Sequence, residues 1–156
     1  MDEFTAAKVP GSSDPAHGSW PAYPGELRAM RTTLRSWLAP LHLDDIIEDD
    51  LILATNEAAS NAIEHAYPPA FGDNGSENGS SNRVDITLHT QSGTVCIQIT
   101  DHGVWREPGP EPNDRGRGIT LMHRLIASVL IHKDGHGTRV LLHHPIAASA
   151  ARPRIG

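Results

Sequence analysis

The stretch LILATNEAASNAIEHAYPP, Leu51 to Pro69, sets two carboxylates and two carboxamides in a run built mostly of Ala, Ile and Leu. Asp45 followed three residues later by Glu48 resembles a capping box at the start of a helix, and Pro68-Pro69 would end it. The apolar positions recur every three to four residues and are Ile47, Leu51, Ala54, Ala58, Ala62 and Ala66. This spacing predicts an amphipathic helix.

The polar residues within that apolar helix need an explanation. Glu57 and Asn61 are four positions apart, which puts them side by side on one face. A solvated face is the simplest interpretation of such a pair. Asn is nevertheless a poor helix former, and Asn56 and Asn61 together cost up to ~1 kcal/mol with no obvious structural return. A functional role is the alternative, and the other motifs of the chain are needed to choose between the two interpretations.

Composition bounds the class of protein. The 156 residues suit one domain, and the net charge of -6 argues against general nucleic-acid binding, which needs clustered Lys and Arg. No apolar run approaches 18 residues and no leader peptide is evident, so neither a membrane span nor a signal peptide is indicated. The single Cys96 excludes an intrachain disulfide framework and favours a cytoplasmic location. The ten histidines lack HExxH or CxxC spacing, which disfavours a histidine metal cage.

Periodicity along the chain predicts a two-layer α+β domain, with helices on one face of a mixed, mostly antiparallel sheet. We expect a flexible lead-in over residues 1–19 with room for one short strand, a folded domain over 20–145, and a flexible tail over 146–156. Residues 69–82 read as a polar surface loop.

The elements expected within the domain are three helices and two hairpins. Pro24 suits the first turn of the first helix, which Pro40 interrupts. The strands RVDITLHT and TVCIQIT form one hairpin, and VLIH and TRVLLHH form another around the turn KDGHG. Between the hairpins, GITLMHRLIAS is the third helix.

The strand IQITDHG ends in a charge. By strand parity Asp101 points to the same face as Ile97 and Ile99, the face that should carry the helices. A carboxylate there without a partner costs on the order of several kcal/mol, so Asp101 either caps a turn or needs a donor. Gly103 permits close backbone approach.

Two glycine-containing segments follow. In NDRGRGITLM, Gly116 and Gly118 open a helix whose first N–H groups form an anion site, with Arg115 and Arg117 adding positive charge. In DGHGTRVLL, the residues Gly135, Gly137 and Thr138 precede the last strand, and a plain hairpin turn explains them about as well as a ligand site does.

The order of these motifs, helix with ExxxN, strand-D-x-G, GxG-helix and GxGT-strand, resembles the ATP-binding domain of the GHKL superfamily, the Bergerat fold. NEAASNAIEHAY with DHG, GRGITLM and GTRVLL looks most like the bacterial anti-sigma-factor serine/threonine kinases of the RsbW and SpoIIAB type. The resemblance covers Glu26 to His143. One departure is Trp105, which stands where the superfamily motif DxGxG has its last glycine.

The resemblance implies a role for each polar residue of the long helix and of the strand ends. Asn61 would coordinate the Mg²⁺ that bridges the ATP phosphates, and Glu57 would be the general base. Asp101 would accept a hydrogen bond from the adenine amine, with Gly103 against the base and Thr138 beside it through water.

The resemblance also implies a phosphate site beneath a lid over residues 102–117. Gly116 and Gly118 would cradle the phosphates, and Arg115 or Arg117 would contact them.

The implied activity is a protein kinase that phosphorylates a Ser or Thr of a STAS-type anti-anti-sigma factor and sequesters a sigma factor, as a homodimer and without contacting nucleic acid or membrane. A non-catalytic module that sequesters partners is the first alternative. A histidine-kinase catalytic domain is the second, and the lack of an evident upstream phosphoacceptor helix disfavours it.

Overall fold

The computed structural model describes residues 15–66, 82–103 and 115–146, with the backbone alone for 65–66 and 115–117. The expectations for Pro68-Pro69, most of the polar loop, most of the lid, Trp105 and most of both termini concern residues outside these ranges.

Within the described ranges, three helices form one layer. Helix α1 spans Leu27–Leu38 and follows a 3₁₀ turn at Pro24–Glu26, as the placement of Pro24 predicts. Helix α2 spans Asp45–Asn61 and continues into a π-helical turn at Ala62–Ala66. Helix α3 spans Arg115–Leu125.

Five strands of the described part of the chain form the other layer, in the order β1-β2-β3-β5-β4, and each of their pairs is antiparallel. The strands are β1 Ala16–Pro21, β2 Arg83–Gln91, β3 Thr94–Asp101, β4 Ser128–Asp134 and β5 Gly137–Pro145. Both predicted hairpins, β2–β3 and β4–β5, are present. The two-layer α+β fold is confirmed.

The buried face of the sheet follows strand parity. On β3, Val95, Ile97 and Ile99 are buried, and Asp101 ends the same row at 3% exposure. The three apolar side chains belong to one core with residues of α1 and α2, among them Leu34, Leu38, Leu51 and Ala58. The prediction that Asp101 faces the helices is therefore correct.

Several element boundaries differ from the sequence-based ones. The cap of α2 is Asp44 rather than Asp45: its extended backbone and its carboxylate, which accepts the Ile46 N–H at 3.3 Å, satisfy the helix start one residue earlier. Helix α3 begins at Arg115, three residues before the expected start at Gly118, so both glycines lie inside its first turn. Strand β1, in contrast, begins at Ala16 and agrees with the short strand for which the lead-in was expected to have room.

A hydrogen bond between the first two helices gives Asn56 a structural role. The Arg31 guanidinium donates to Asn56 Oδ1 at 2.8 Å, partly buried between α1 and α2. The expectation that the two Asn residues have no structural return is therefore wrong for Asn56. It remains open for Asn61, whose surroundings are described below.

The N-cap assignment can be tested by comparing Asp44→Ala with Asp45→Ala. Loss of the cap should lower the free energy of unfolding by about 1 kcal/mol in the first variant. The second removes only a charge from the first helical turn and should cost less, about 0.3–1 kcal/mol. Urea denaturation of both variants provides the measurement, and a larger loss in Asp45→Ala would restore the original boundary.

Candidate functional site

A row of three polar side chains crosses the inner face of the sheet at one end. Asp101 at the end of β3 pairs in register with Thr138 on β5, and Thr138 pairs with Lys133 on β4. Directly opposed residues of antiparallel strands have Cβ atoms about 4.5–5.5 Å apart, so the row is continuous.

Two backbone groups hold the Asp101 carboxylate. Its Oδ1 accepts the N–H of Gly103 at 3.2 Å and the N–H of Thr138 at 3.3 Å. The first bond caps the turn after β3, and the second ties β3 to β5. The turn-capping interpretation of Asp101 is thus correct, but it uses only one of the two carboxylate oxygens.

Burial sets the charge state of this carboxyl. Burial raises the pKa of Asp101 above its ordinary value, although the N–H groups of Gly103 and Thr138 and the nearby His102 oppose the shift. The ionised form is therefore under-stabilised by the protein alone. A ligand that donates a hydrogen bond to Asp101 would favour the charged form.

The hydroxyl of Thr138 is a second polar group in need of a partner. Thr138 is 4% exposed, and its Oγ1 makes no hydrogen bond among the described residues. Leaving a buried polar group unsatisfied costs about 1–3 kcal/mol. Adjacent to Asp101, such a group marks a ligand-binding position more specifically than either residue does alone.

Gly137 makes this arrangement possible. Its φ is +149°, and a Cβ on it would lie 2.0 Å from the backbone oxygen of Asp101. No other residue type would let β5 start this close to the end of β3. From the sequence alone, a plain hairpin turn explains Gly137 equally well. The available signal for a site is the Gly137-Thr138 pair at the start of the strand.

The polar pair of α2 lies against the start of α3. A Cβ on Gly118 would be 2.9 Å from Glu57 Oε2 and 3.4 Å from Asn61 Nδ2. Glycine at 118 therefore lets the first turn of α3 pass directly over the pair. Arg115, Gly116 and Arg117 occupy that turn, and their side chains lie outside the described part of the structure.

A cleft of about 360 Å³, including its open mouth, connects the two groups. Its polar lining is Asn61, Asp101, Lys133 and Thr138. Its apolar lining comes from both helices and the sheet floor: Ala58, Ala62, Ile99, Ile119, Met122, Ile131 and Val140. A concave, mostly apolar slot with a few convergent polar groups is typical of a small-molecule site. Lys133 was not singled out from the sequence, because only the strand register brings it here.

Other features of the described residues are less suggestive. No group of three or more His, Cys, Asp or Glu side chains there is arranged to hold a metal ion. His102 instead contacts Asp85, with 2.9 Å between Nε2 and Oδ2. Within the same residues, no helix has the length and apolar character needed to cross a membrane.

Comparison with known proteins identifies the family. The sequence model of the histidine kinase-like ATPase domain family matches residues 20–143, so the chain belongs to this family. Its fold is also similar to a crystal structure of the RsbU and RsbW domains of Rv1364c from Mycobacterium tuberculosis. That match has a TM-score of 0.67 and 22% identity, and covers 90% of this chain and 34% of the other. The chain thus spans about a third of that protein's chain.

These matches confirm the resemblance to the GHKL superfamily that the motif order indicated. An ATPase domain of this family implies ATP binding. Asp101, the Thr138 hydroxyl and the approach at Gly118 suit such a ligand. They supply an acceptor, a hydroxyl without a hydrogen bond among the described residues, and room beside a helix N-terminus.

The close approach at Gly137 can be tested by Gly137→Ala. The added methyl group would clash with the Asp101 backbone and force an L-residue into a conformation reserved for glycine, so the free energy of unfolding should fall by roughly 2 kcal/mol or more. Thermal or urea unfolding measures the effect.

Gly135→Ala is the matched control, because a Cβ on Gly135 would meet nothing within 4 Å. It should leave stability within about 0.5 kcal/mol of wild type. Equal losses in the two variants would show that Gly137 is only a turn residue.

Proposed function

We propose that this chain is an ATP-dependent protein kinase that transfers the γ-phosphoryl group to a Ser or Thr of a STAS-type anti-anti-sigma factor. When that factor is phosphorylated, the kinase holds a sigma factor inactive. One observation carries the proposal: a carboxylate, a carboxamide and a helix N-terminus converge around Gly118 beside a cleft that also contains the acceptor Asp101.

The base of ATP is assigned to the Asp101 end of the cleft. Its buried carboxylate needs a donor, and the adenine amine is one. The apolar lining of α2, α3 and the sheet floor suits the faces of a purine ring. Thr138 contributes its hydroxyl beside Asp101, and Gly103 leaves space for the base.

The phosphates are assigned to the first turn of α3. Its N–H groups, with Gly116 and Gly118 free of side chains, form an anion site, and Arg115 and Arg117 are on the same turn. Asn61, which lies against Gly118, would hold Mg²⁺ through its amide oxygen. The ion would neutralise phosphate charge.

Glu57 is the proposed general base. It lies one helical turn before Asn61 and contacts the Gly118 position, which places it at the phosphate end. Its carboxylate would take the proton from the substrate hydroxyl as the hydroxyl oxygen bonds to the γ-phosphorus. The bond from that phosphorus to the β–γ bridging oxygen breaks, and ADP leaves.

The exposed face of α2 supports a protein substrate. Ile46 and Leu53 are 70% and 41% exposed, and with Glu57 they are spaced seven and four residues apart, along one side of the helix. A protein surface that covers these apolar side chains would deliver its hydroxyl to Glu57. The sigma factor, the homodimer and the cytoplasmic location belong to the same proposal and rest on the family resemblance.

Asp101→Asn should separate nucleotide binding from folding. The variant keeps an oxygen for the N–H groups of Gly103 and Thr138 but loses the charge, so ATP affinity should fall by about 1.5 kcal/mol or more in calorimetry. Its free energy of unfolding at pH 7 should match or exceed that of wild type.

The direction of this difference in the free energy of unfolding follows from the raised pKa of Asp101. The folded protein binds that proton more tightly than the unfolded chain, so this group stabilises the wild type at low pH. The contribution is lost as pH rises from the ordinary value of 3.8 through the raised one. The stability of Asp101→Asn relative to wild type should therefore increase between about pH 4 and pH 7, and a difference independent of pH would contradict the assignment.

Glu57→Gln should distinguish a kinase from a sequestering module. Loss of the general base should slow phosphoryl transfer about 10²–10⁴-fold while ATP binding persists, because Glu57 holds no metal in this scheme. The assay uses labelled ATP with candidate STAS-fold proteins encoded in the same genome.

Two further variants complete this experiment. Asn61→Ala should weaken the Mg²⁺-dependent part of ATP binding together with transfer. Glu48→Gln, near the start of α2 and beside Arg35, should leave transfer unchanged. Phosphorylation of a Ser or Thr by wild type at a rate that Glu57→Gln retains would refute the role of Glu57, and absence of any transfer with intact ATP binding would favour the sequestering module.

A further inference from the structure

The polar row on the inner face of the sheet does not end at Thr138. We propose that Lys133 completes the base subsite by donating a hydrogen bond to a ring nitrogen of adenine. This inference rests on the proposed ATP site and extends it to a residue that neither the sequence motifs nor the family match assigns.

Strand parity directs Lys133 into the cleft. Val129, Ile131 and Lys133 alternate along β4, and both Ile131 and Lys133 line the cleft. The two residues that flank Lys133, His132 and Asp134, contact one another, with 3.9 Å between Nε2 and Oδ2. Lys133 is therefore on the same side of the sheet as Asp101 and Thr138.

The register puts Lys133 at the base end of the cleft. It lies directly opposite Thr138, which lies directly opposite Asp101. The proposed phosphate end is defined instead by Gly118 and Asn61 on the helices. A lysine contact with the base follows from this placement more directly than a contact with the phosphates.

Lys133 and Asp101 are on strands that are separated by β5. Neighbouring strands are about 4.8 Å apart, so the backbones of β3 and β4 stand roughly 10 Å apart across β5. An acceptor and a donor thus stand on opposite sides of the Thr138 hydroxyl, which has no hydrogen-bond partner among the described residues, with the cleft above them.

Adenine presents the complementary pattern. Its amine, the donor proposed for Asp101, is flanked by the ring nitrogens N1 and N7, both of which are acceptors. An ammonium group has three donors on a flexible stem and can reach one of them. A hydrogen bond from a charged donor is stronger than a neutral one, so the contact should contribute measurably to affinity.

The test measures Mg·ATP binding to wild type and Lys133→Met by calorimetry, together with 1-deaza-ATP and 7-deaza-ATP. Lys133→Met should bind ATP about 10-fold more weakly. One analogue lacks the nitrogen that Lys133 contacts. That analogue should bind wild type more weakly than ATP does and should lose nothing further in the variant.

Arg139→Met is the matched control. Arg139 follows Thr138, points to the opposite face of the sheet and pairs in register with Thr100 and His132, so its loss removes the same charge outside the cleft. It should change ATP affinity less than 2-fold, and thermal unfolding should show that both variants remain folded.

Each remaining outcome overturns the proposal. Unchanged ATP affinity in Lys133→Met would show that the lysine makes no contact. An equal loss with ATP and with both analogues would show a contact to the phosphates instead. Failure of wild type to bind ATP would refute the nucleotide site itself, and it would be visible before any variant is compared.

Discussion

The buried carboxylate of Asp101 is the constraint on which the site depends. It ends a strand whose other inward residues are apolar, and its Oδ1 joins the turn at Gly103 to the start of β5 at Thr138. That junction closes only because Gly137 has no side chain where β5 meets the Asp101 backbone. The geometry at this end of the sheet therefore depends on the carboxyl group of Asp101 and on the absence of a Cβ at Gly137.

Small residues build the opposite wall. Ala58 and Ala62 leave the cleft open along α2, and Gly118 lets α3 approach Glu57 and Asn61. A larger side chain at 118 would separate the helix N-terminus from the polar pair. The missing side chain of Gly118, which weakens local helix propensity, thus creates the contact between a carboxylate, a carboxamide and a helix N-terminus.

Local patterns predicted the parts of the fold that depend on periodicity. Both hairpins, the first helix and the inward orientation of Asp101 follow from spacings of two and of three to four residues. The boundaries that differ involve competing local signals: Asp44 and Asp45 are equally good caps, and only backbone geometry selects the first. Glycines argue against a helix, yet α3 includes two in its first turn because packing against α2 overrides propensity.

Contacts between distant segments could not be read from spacing. Arg31 and Asn56 are 25 residues apart, and nothing in either segment indicates the hydrogen bond between them. The meeting of Glu57 with Gly118 and of Asp101 with Gly137 likewise depends on how helices and strands pack. The order of motifs anticipated these meetings only through resemblance to a family. Lys133, which lies outside those motifs, became visible only through the sheet register.

The end of the sheet at Asp101 and Thr138 has a polar imbalance that the apolar core must offset. Burial disfavours the charge on Asp101, and the Thr138 hydroxyl has no partner among the described residues. A ligand that supplies a donor to one and a polar partner to the other removes both penalties, and it does so only in the folded state. Binding and stability are therefore linked, and the ligand should raise the free energy of unfolding by RT ln(1 + L/Kd), where L is the free ligand concentration. The costs of burying the Asp101 carboxylate and the Thr138 hydroxyl are local to the end of the sheet. The apolar core beneath the helices can therefore keep the domain folded without a ligand in the cleft.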